Sequence, residues 1–287
     1  MKKWNLLIDV AKCFNCNNCA LAVHDEYCGN SFSGYTEEMP RQGHRWIEIR
    51  QREQGQFPMV EVAYLPVTCN HCDEPSCMKG APEGAITKRA DGIVIFDPVR
   101  SRGHPELVQS CPYGMISWNE EKQVPQTWPF DAHLLDKVWT QTRASQVCPT
   151  GAIQTLQVED EEMQRRVREE KLEVLHPEFG NKPRVYYKNL DRYFKSFVGG
   201  TLEATQNGAT DCVAGARVVL TKNALQLAET VSDPYGDFRF RGLEADGATY
   251  RIEVDDPRFS AKALELAFKQ SCHVGAIVLE AKLTSTA

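Results

Sequence analysis

The chain lacks what a secreted, membrane-borne or nucleic-acid-binding protein would show. Its opening, MKKWNLLIDVAKC, has two lysines but no long apolar stretch, and Asp9 breaks the short run that is there. Neither a signal peptide nor a membrane span is expected. Positive charge is not in excess: the net charge is −6, which argues against binding nucleic acid or an anionic membrane. The even cysteine count of a disulfide framework is missing too, since there are 11. These absences point to a reducing, cytoplasmic setting, where clustered thiols usually serve metal binding or catalysis. What remains is ordinary for a soluble chain of two domains: 287 residues, 42% apolar and 25% charged.

A more local absence is more informative. In CFNCNNCALAVHDEYC, Cys13, Cys16 and Cys19 have the spacing of a bacterial ferredoxin run. The fourth cysteine, due just before a proline, is replaced by Val23 and no proline follows. CNHCDEPSC supplies a second tripod, Cys69, Cys72 and Cys77, and its fourth slot is Ala81. Two lone Cys-Pro elements, Cys111 and Cys148, have the opposite defect. Ser101, His104 and Leu107 stand where a tripod upstream of Cys111 would fall, and Ala144 stands just before Cys148. The stretches APEGAI (81–86), CPYGMI (111–116) and CPTGAI (148–153) repeat one pattern, as fused ferredoxin-like modules would.

In two-cluster ferredoxins the fourth cysteine of each run ligates the other cluster. Two tripods and two crossing Cys-Pro residues therefore make two complete sets, and the lost cysteines also fall into complete sets. The short separation of Cys77 and Cys111 assigns Cys69, Cys72, Cys77 and Cys111 to one [4Fe-4S] cluster. Cys13, Cys16, Cys19 and Cys148 form the other. The CxxC pairs at 13/16 and 69/72 would also suit zinc, which has no need of the third cysteines or the Cys-Pro repeats. Buried structural thiols are the blandest reading of all eight. Cys28, Cys212 and Cys272 are expected to be small buried apolar residues. A 212–272 disulfide is disfavoured in a reducing compartment. His104 and Asp131 are the spare candidates for an atypical third cluster.

Cysteines are dense from 13 to 148 and sparse afterwards. RWIEI (45–49) and MVEVAYLPV (59–67) read as strands. Val158, Met163, Val167, Leu172 and Leu175 form one apolar stripe in a charged segment and predict a helix. HPEFGNKPRVYYKNLDRYF reads as a linker. Seven candidate strands follow: GTLEAT, ARVVLT, LQLAETV, DFRFRGL, TYRIEV, AKALELAF and AIVLEAKL. Turn signals NGATD, DPYGD and EADGA separate them. This spacing predicts an immunoglobulin-like β-sandwich, without the Cys…Trp…Cys signature and without a catalytic constellation. TVSDPYGDFRFRGL followed by YRIEV resembles the transthyretin-like or carboxypeptidase-regulatory-like sandwich family. The expected fold class is α+β: a double ferredoxin-like domain over 1–157, helix and linker over 158–197, and an all-β sandwich over 198–287.

Over roughly residues 5–155 the cysteine arrangement resembles the iron–sulfur β subunits of the molybdopterin oxidoreductase superfamily. That resemblance implies up to four cubanes, ligated crosswise between the first and fourth motifs and between the second and third. The family's fourth motif opens with CxxC before an AHLLD-like stretch. WPFDAHLLD (128–136) has Trp128 and Asp131 in those places, so only two clusters are expected. IDVAKC, GHRW, DGIV, WNEE and KPRVYYKNL are similar to the branch that acts on polyhydroxylated aromatics. The resemblance implies a non-catalytic electron-transfer subunit with a large partner carrying molybdenum and two pterin guanine dinucleotides. A redox-neutral transhydroxylation would need no external electron carrier, whereas a hydroxylation or dehydroxylation would. Two other readings stay open: an assembly subunit whose clusters stabilise the fold, and a free-standing ferredoxin, against which the aromatic linker and sandwich argue.

Overall fold

The computed structural model describes residues 1–206 and 208–282. Asn207 of the NGATD turn and Leu283 of the last expected strand lie outside the described residues. The chain divides into two compact units, one of Met1–Gln51 with Ala63–Leu190 and one of Arg52–Val62 with Asp191–Ala287.

The first unit is organised on β1 (Lys3–Asp9), which is buried along nearly its whole length. Helix α1 (Asn18–Tyr27) follows the first tripod. The strands read from RWIEI and MVEVAYLPV are β2 (Ile47–Gln56) and β3 (Met59–Thr68), paired as a hairpin. Two small hairpins follow, β4 (Ile86–Lys88) with β5 (Val94–Phe96) and β6 (Ser117–Asn119) with β7 (Val124–Gln126). Short helices α2 (Ala132–Leu135) and α3 (Arg143–Gln146) lead into β8 (Ile153–Val158). Strand β8 pairs antiparallel with β1.

The charged segment forms helix α4 (Asp160–Glu170). Asp160, Glu161 and Glu162 fill its first turn and Arg168 its last, complementing the helix dipole. Met163 packs in an apolar cluster with Leu7, Leu172 and Tyr186. The helix stops earlier than the apolar stripe implied, because Lys171 adopts a left-handed conformation with φ 52°. Leu172 and Leu175 are buried beyond its end.

The expected linker contains β9 (Val185–Lys188), which pairs parallel with β1 and makes it the central strand of three. Residues 158–190 are thus part of the first unit and not a separate connector. Val185 and Tyr187 are fully buried, and a paired, buried strand cannot act as a free tether.

Besides the hairpin tip Arg52–Val62, the second unit contains α5 (Asp191–Phe194) and two four-stranded sheets. In one, β10 (Ser196–Gln206) pairs with β11 (Ala209–Cys212), β14 (Asp237–Leu243) and β17 (Cys272–Leu279). In the other the order is β13 (Leu225–Val231), β12 (Arg217–Lys222), β15 (Thr249–Asp255) and β16 (Lys262–Ala267). Alternation explains the burial: Tyr250, Ile252 and Val254 point inward along β15 while their neighbours face out. They meet Val198, Leu202, Phe238, Phe240 and Ile277 of the other sheet in one shared core. Each of the seven expected strands overlaps an observed one among the described residues, the last only over 276–279 because β17 starts earlier and stops at Leu279, and β11 is an eighth, where ATD was read as part of a turn.

Candidate metal centres

The two tripods are built alike. In each, the second residue after the first cysteine has positive φ: Asn15 (61°) and His71 (44°). That conformation bends the loop so that the backbone N–H of Asn15 donates to Cys13 Sγ and that of His71 to Cys69 Sγ. Asparagine tolerates the left-handed region well. His71 adopts it while its ring is fixed: Nδ1 accepts from the Val94 N–H at 3.1 Å. Burial drives the imidazole pKa down to about 3, so the ring is neutral.

The two Cys-Pro elements are also built alike. The N–H of Gly114 donates to Cys111 O at 3.0 Å, and that of Gly151 to Cys148 O at 3.2 Å. Both glycines have positive φ, 72° and 62°, where a side chain would be strained.

The chain brings these parts together in two quartets. Cys69, Cys72, Cys77 and Cys111 line one cavity, with Pro75, Val94, Phe96 and Ile116 among its walls. Cys13, Cys16, Cys19 and Cys148 line another, with Phe14, Ile49 and Ile153. For the second quartet the register supplies the reason. Strand β1 pairs with β8 so that Ile8 faces Ile153, and the Asp9 N–H continues the ladder to Ala152 O at 2.8 Å. Beyond this ladder both segments turn, and Cys148 comes close enough to act on the Cys13 thiol.

Burial raises the Cys19 and Cys77 thiols to about 12 and the Cys69 thiol to about 11. Cys13 and Cys72 are raised for the same reason. Neighbouring sulfurs add to the rise within each quartet: Cys16 and Cys148 act on Cys13, and Cys69, Cys77 and Cys111 on Cys72. Thiols so disfavoured as anions need a cationic body among them to become ligands. Among the described residues no three His, Cys, Asp or Glu side chains converge closely enough to hold a single ion. A zinc ion, with Zn–S near 2.3 Å, would draw four sulfurs to within about 4 Å of one another. Sulfurs standing round a cavity fit a body of several atoms, and a [4Fe-4S] cluster is the group this donor set suits.

The positions without cysteine are filled. Val23, Trp128, Asp131 and Ala144 are all buried, and α1 packs on α3. Asp131 accepts from Tyr27 Oη (2.8 Å), Trp128 Nε1 (2.8 Å) and the Arg143 N–H (2.7 Å). Burial raises its pKa, and these donors oppose the rise. A carboxylate so engaged is not free to bind iron. At the other site Leu107 packs with Ile86, Val94, Phe96 and Ile116, and Ala81 lies against them. His104 turns to Glu106, with Nδ1 2.7 Å from Oε1. Of the remaining cysteines, Cys28 and Cys272 are half-buried, and Cys212 is exposed, contrary to expectation, because β11 has no buried position. All three are free.

Asn70 and Tyr113, which also line the first cavity, and Lys88, whose charge lowers the Cys72 thiol, are missed by the sequence reading. A comparison of the tripods shows one clue: Asn70 stands where Phe14 stands.

Residues 60–158 match the 4Fe-4S dicluster domain family. The chain is 42% identical over 259 residues to the pyrogallol hydroxytransferase small subunit of Pelobacter acidigallici, covering 89% of this chain and 91% of that one. It is 33% identical to the arsenate respiratory reductase iron–sulfur subunit ArrB of Shewanella sp. strain ANA-3, covering 40% of this chain and 44% of that one. Among solved structures, 5-hydroxyisourate hydrolase of Klebsiella pneumoniae is similar to 29% of the chain at 15% identity, covering 90% of its own, with a TM-score of 0.25, too slight to carry an argument. With its paired cysteine quartets and a relative matched nearly end to end, the chain belongs to the family of iron–sulfur small subunits of molybdopterin oxidoreductases.

Proposed function

We propose that this subunit holds two [4Fe-4S] clusters and carries electrons for a large molybdopterin subunit acting on polyhydroxylated aromatics. Cys13, Cys16, Cys19 and Cys148 would hold one cluster, and Cys69, Cys72, Cys77 and Cys111 the other. The observation that carries this reading is the gathering of eight cysteines, distant in sequence, into two quartets around two cavities. A bound cluster supplies one-electron redox chemistry. The chain's own residues ligate it, keep water away with apolar walls such as Val94 and Phe96, and donate backbone N–H groups to the thiolates. No residue of this chain is assigned an acid, base or nucleophile role.

The substrate class rests on the likeness to the Pelobacter subunit, and catalysis belongs to the partner. The finer fold follows the same reading: a double ferredoxin-like arrangement in the first unit and an immunoglobulin-like or transthyretin-like sandwich in the second. Eleven free cysteines suit a reducing compartment, and among the described residues no helix is long and apolar enough to cross a membrane.

The test is anaerobic affinity purification from the native host. The expected product is a stoichiometric large chain with bound molybdenum and about eight irons per small subunit. Polyhydroxylated benzenes should then reduce both clusters when rapidly mixed with the complex. About twelve irons would mean a third cluster and would defeat the two-site assignment. Iron without a large chain or molybdenum would defeat the partner.

A further inference from the structure

Two polar side chains at one cavity carry a donor that no group accepts among the described residues. Asn70 is 2% exposed, and neither end of its carboxamide makes a hydrogen bond among the described residues. Tyr113 is 6% exposed; the Asn181 carboxamide stands beside its oxygen as a donor, and no described group accepts the hydroxyl proton. The nearby Asn181 carboxamide donates to Ser76 Oγ, at 3.2 Å. Both orphans line the cavity of Cys69, Cys72, Cys77 and Cys111. Burying polar groups unpaired is costly, and native chains do it rarely, so each calls for an acceptor that the protein itself does not supply.

The other cavity is different. Its walls beside the cysteines are Phe14, Ile49, Thr150, Ala152 and Ile153, and none carries an orphaned polar atom among the described residues. Phe14 follows Cys13 as Asn70 follows Cys69, and Thr150 occupies the place in CPTG that Tyr113 holds in CPYG. The equivalent positions are thus apolar, or hold a threonine whose hydroxyl lies 3.8 Å from Cys148 Sγ.

We propose that Asn70 and Tyr113 donate hydrogen bonds to the sulfurs of the cluster held by Cys69, Cys72, Cys77 and Cys111. These bonds hold its reduction potential above the value that thiolate ligation alone would set. The inference rests on the cluster reading above. The carboxamide can present its NH2, and the hydroxyl can rotate its proton inward. Cluster sulfurs only accept, so the donor ends face them. Reduction adds negative charge to the cluster, and a donor to sulfur favours the more negative state. Lys88 acts in the same direction, since its ammonium, 2.8 Å from His71 O, places positive charge beside the site. The two groups are positioning residues, because they act through the cluster.

The experiment uses the anaerobically purified complex carrying Tyr113→Phe or Asn70→Leu. Iron is assayed, and each cluster is titrated electrochemically with EPR detection. The resonance that survives in Cys148→Ala identifies the cluster in question. The expected result is full iron in Tyr113→Phe, a lower potential for this cluster in both variants, and an unmoved potential for the other. Full iron with both potentials unmoved overturns the proposal. If Asn70→Leu sheds the cluster, Tyr113→Phe, which removes a single oxygen, still decides. Loss of this cluster from Tyr113→Phe would also overturn it, since the hydroxyl would then be structural. A wild type with neither cluster signal would instead sink the cluster reading itself.

Discussion

At the scale of single residues, the vacated positions make the sharpest case. Asp131 is fully buried and satisfies three donors, from Tyr27, Trp128 and Arg143. An orphaned buried donor costs about 1–3 kcal/mol. Asp131→Ala should therefore destabilise the first unit by roughly 3 kcal/mol or more, read as an earlier midpoint in anaerobic urea unfolding. Its iron content should not change, because Asp131 is a structural knot in this account. Loss of about four irons would show that it touches a cluster after all. The eight cysteines were legible in the sequence because spacing alone marks a ligand run. The same spacing marks Val23, Ala81, Trp128 and Asp131 as interruptions of a known pattern, from which the proposed count of two clusters follows. The orphaned groups of Asn70 and Tyr113 were not legible, because an unsatisfied hydrogen bond exists only once the walls around it are built.

At the scale of elements, ion pairs stitch the first unit. Arg184, just before β9, is 3% exposed and reaches Asp73 through two contacts of 2.6 Å and Asp160 of α4 at 2.9 Å. Lys88 of β4 adds a contact of 3.0 Å to Asp73. Burial alone would raise the Asp73 carboxyl, but Arg184 and Lys88 hold it below its ordinary value. Asp73→Asn leaves Arg184 with Asp160 as its one carboxylate and Asn5 Oδ1 as a neutral acceptor, so a loss of about 2 kcal/mol is expected, below the 3–5 kcal/mol of a fully broken buried pair. The sign follows from the depressed pKa. Asp73 contributes fully above its unfolded pKa, near 3.9, and its contribution fades as pH falls through the lower folded value. The stability gap between wild type and Asp73→Asn should stay constant from about pH 8 to pH 5 and narrow only below about 4. Unfolding midpoints across that range check this, and a gap that shrinks between pH 7 and 5 would contradict it. The elements themselves were mostly legible, since alternation marks β15 and an apolar stripe marks α4. Strand β9 was not. Its pairing with β1 depends on a distant partner, and its sequence, flanked by proline and asparagine, reads locally as a connector.

At the scale of the whole chain, the question is how Cys148 reaches the first tripod. The span from Cys19 to Cys148 is roughly four times that from Cys77 to Cys111, yet loop closure grows only as about 0.6 kcal/mol per doubling. The longer closure is thus dearer by only about 1.2 kcal/mol, and distance along the chain does not forbid it. The β1–β8 ladder then offsets that cost, because Asp9 is already bonded to Ala152 and the two cysteine-bearing turns follow directly from the paired strands. Folding of the sheet assembles one quartet, while the short turns Ser76–Met78 and Pro105–Ser110, joined through Ser76 Oγ and Ser110 O at 3.3 Å, assemble the other. The two sites should therefore fail separately. Cys148→Ala should lower iron below about eight and remove one EPR signal, leaving the other at its wild-type potential. Cys111→Ala should do the reverse. If either variant removed both signals, the quartets would be coupled in assembly and independent closure would be wrong. If Cys148→Ala abolished the signal that Cys111→Ala also abolishes, the crossing itself would be misassigned.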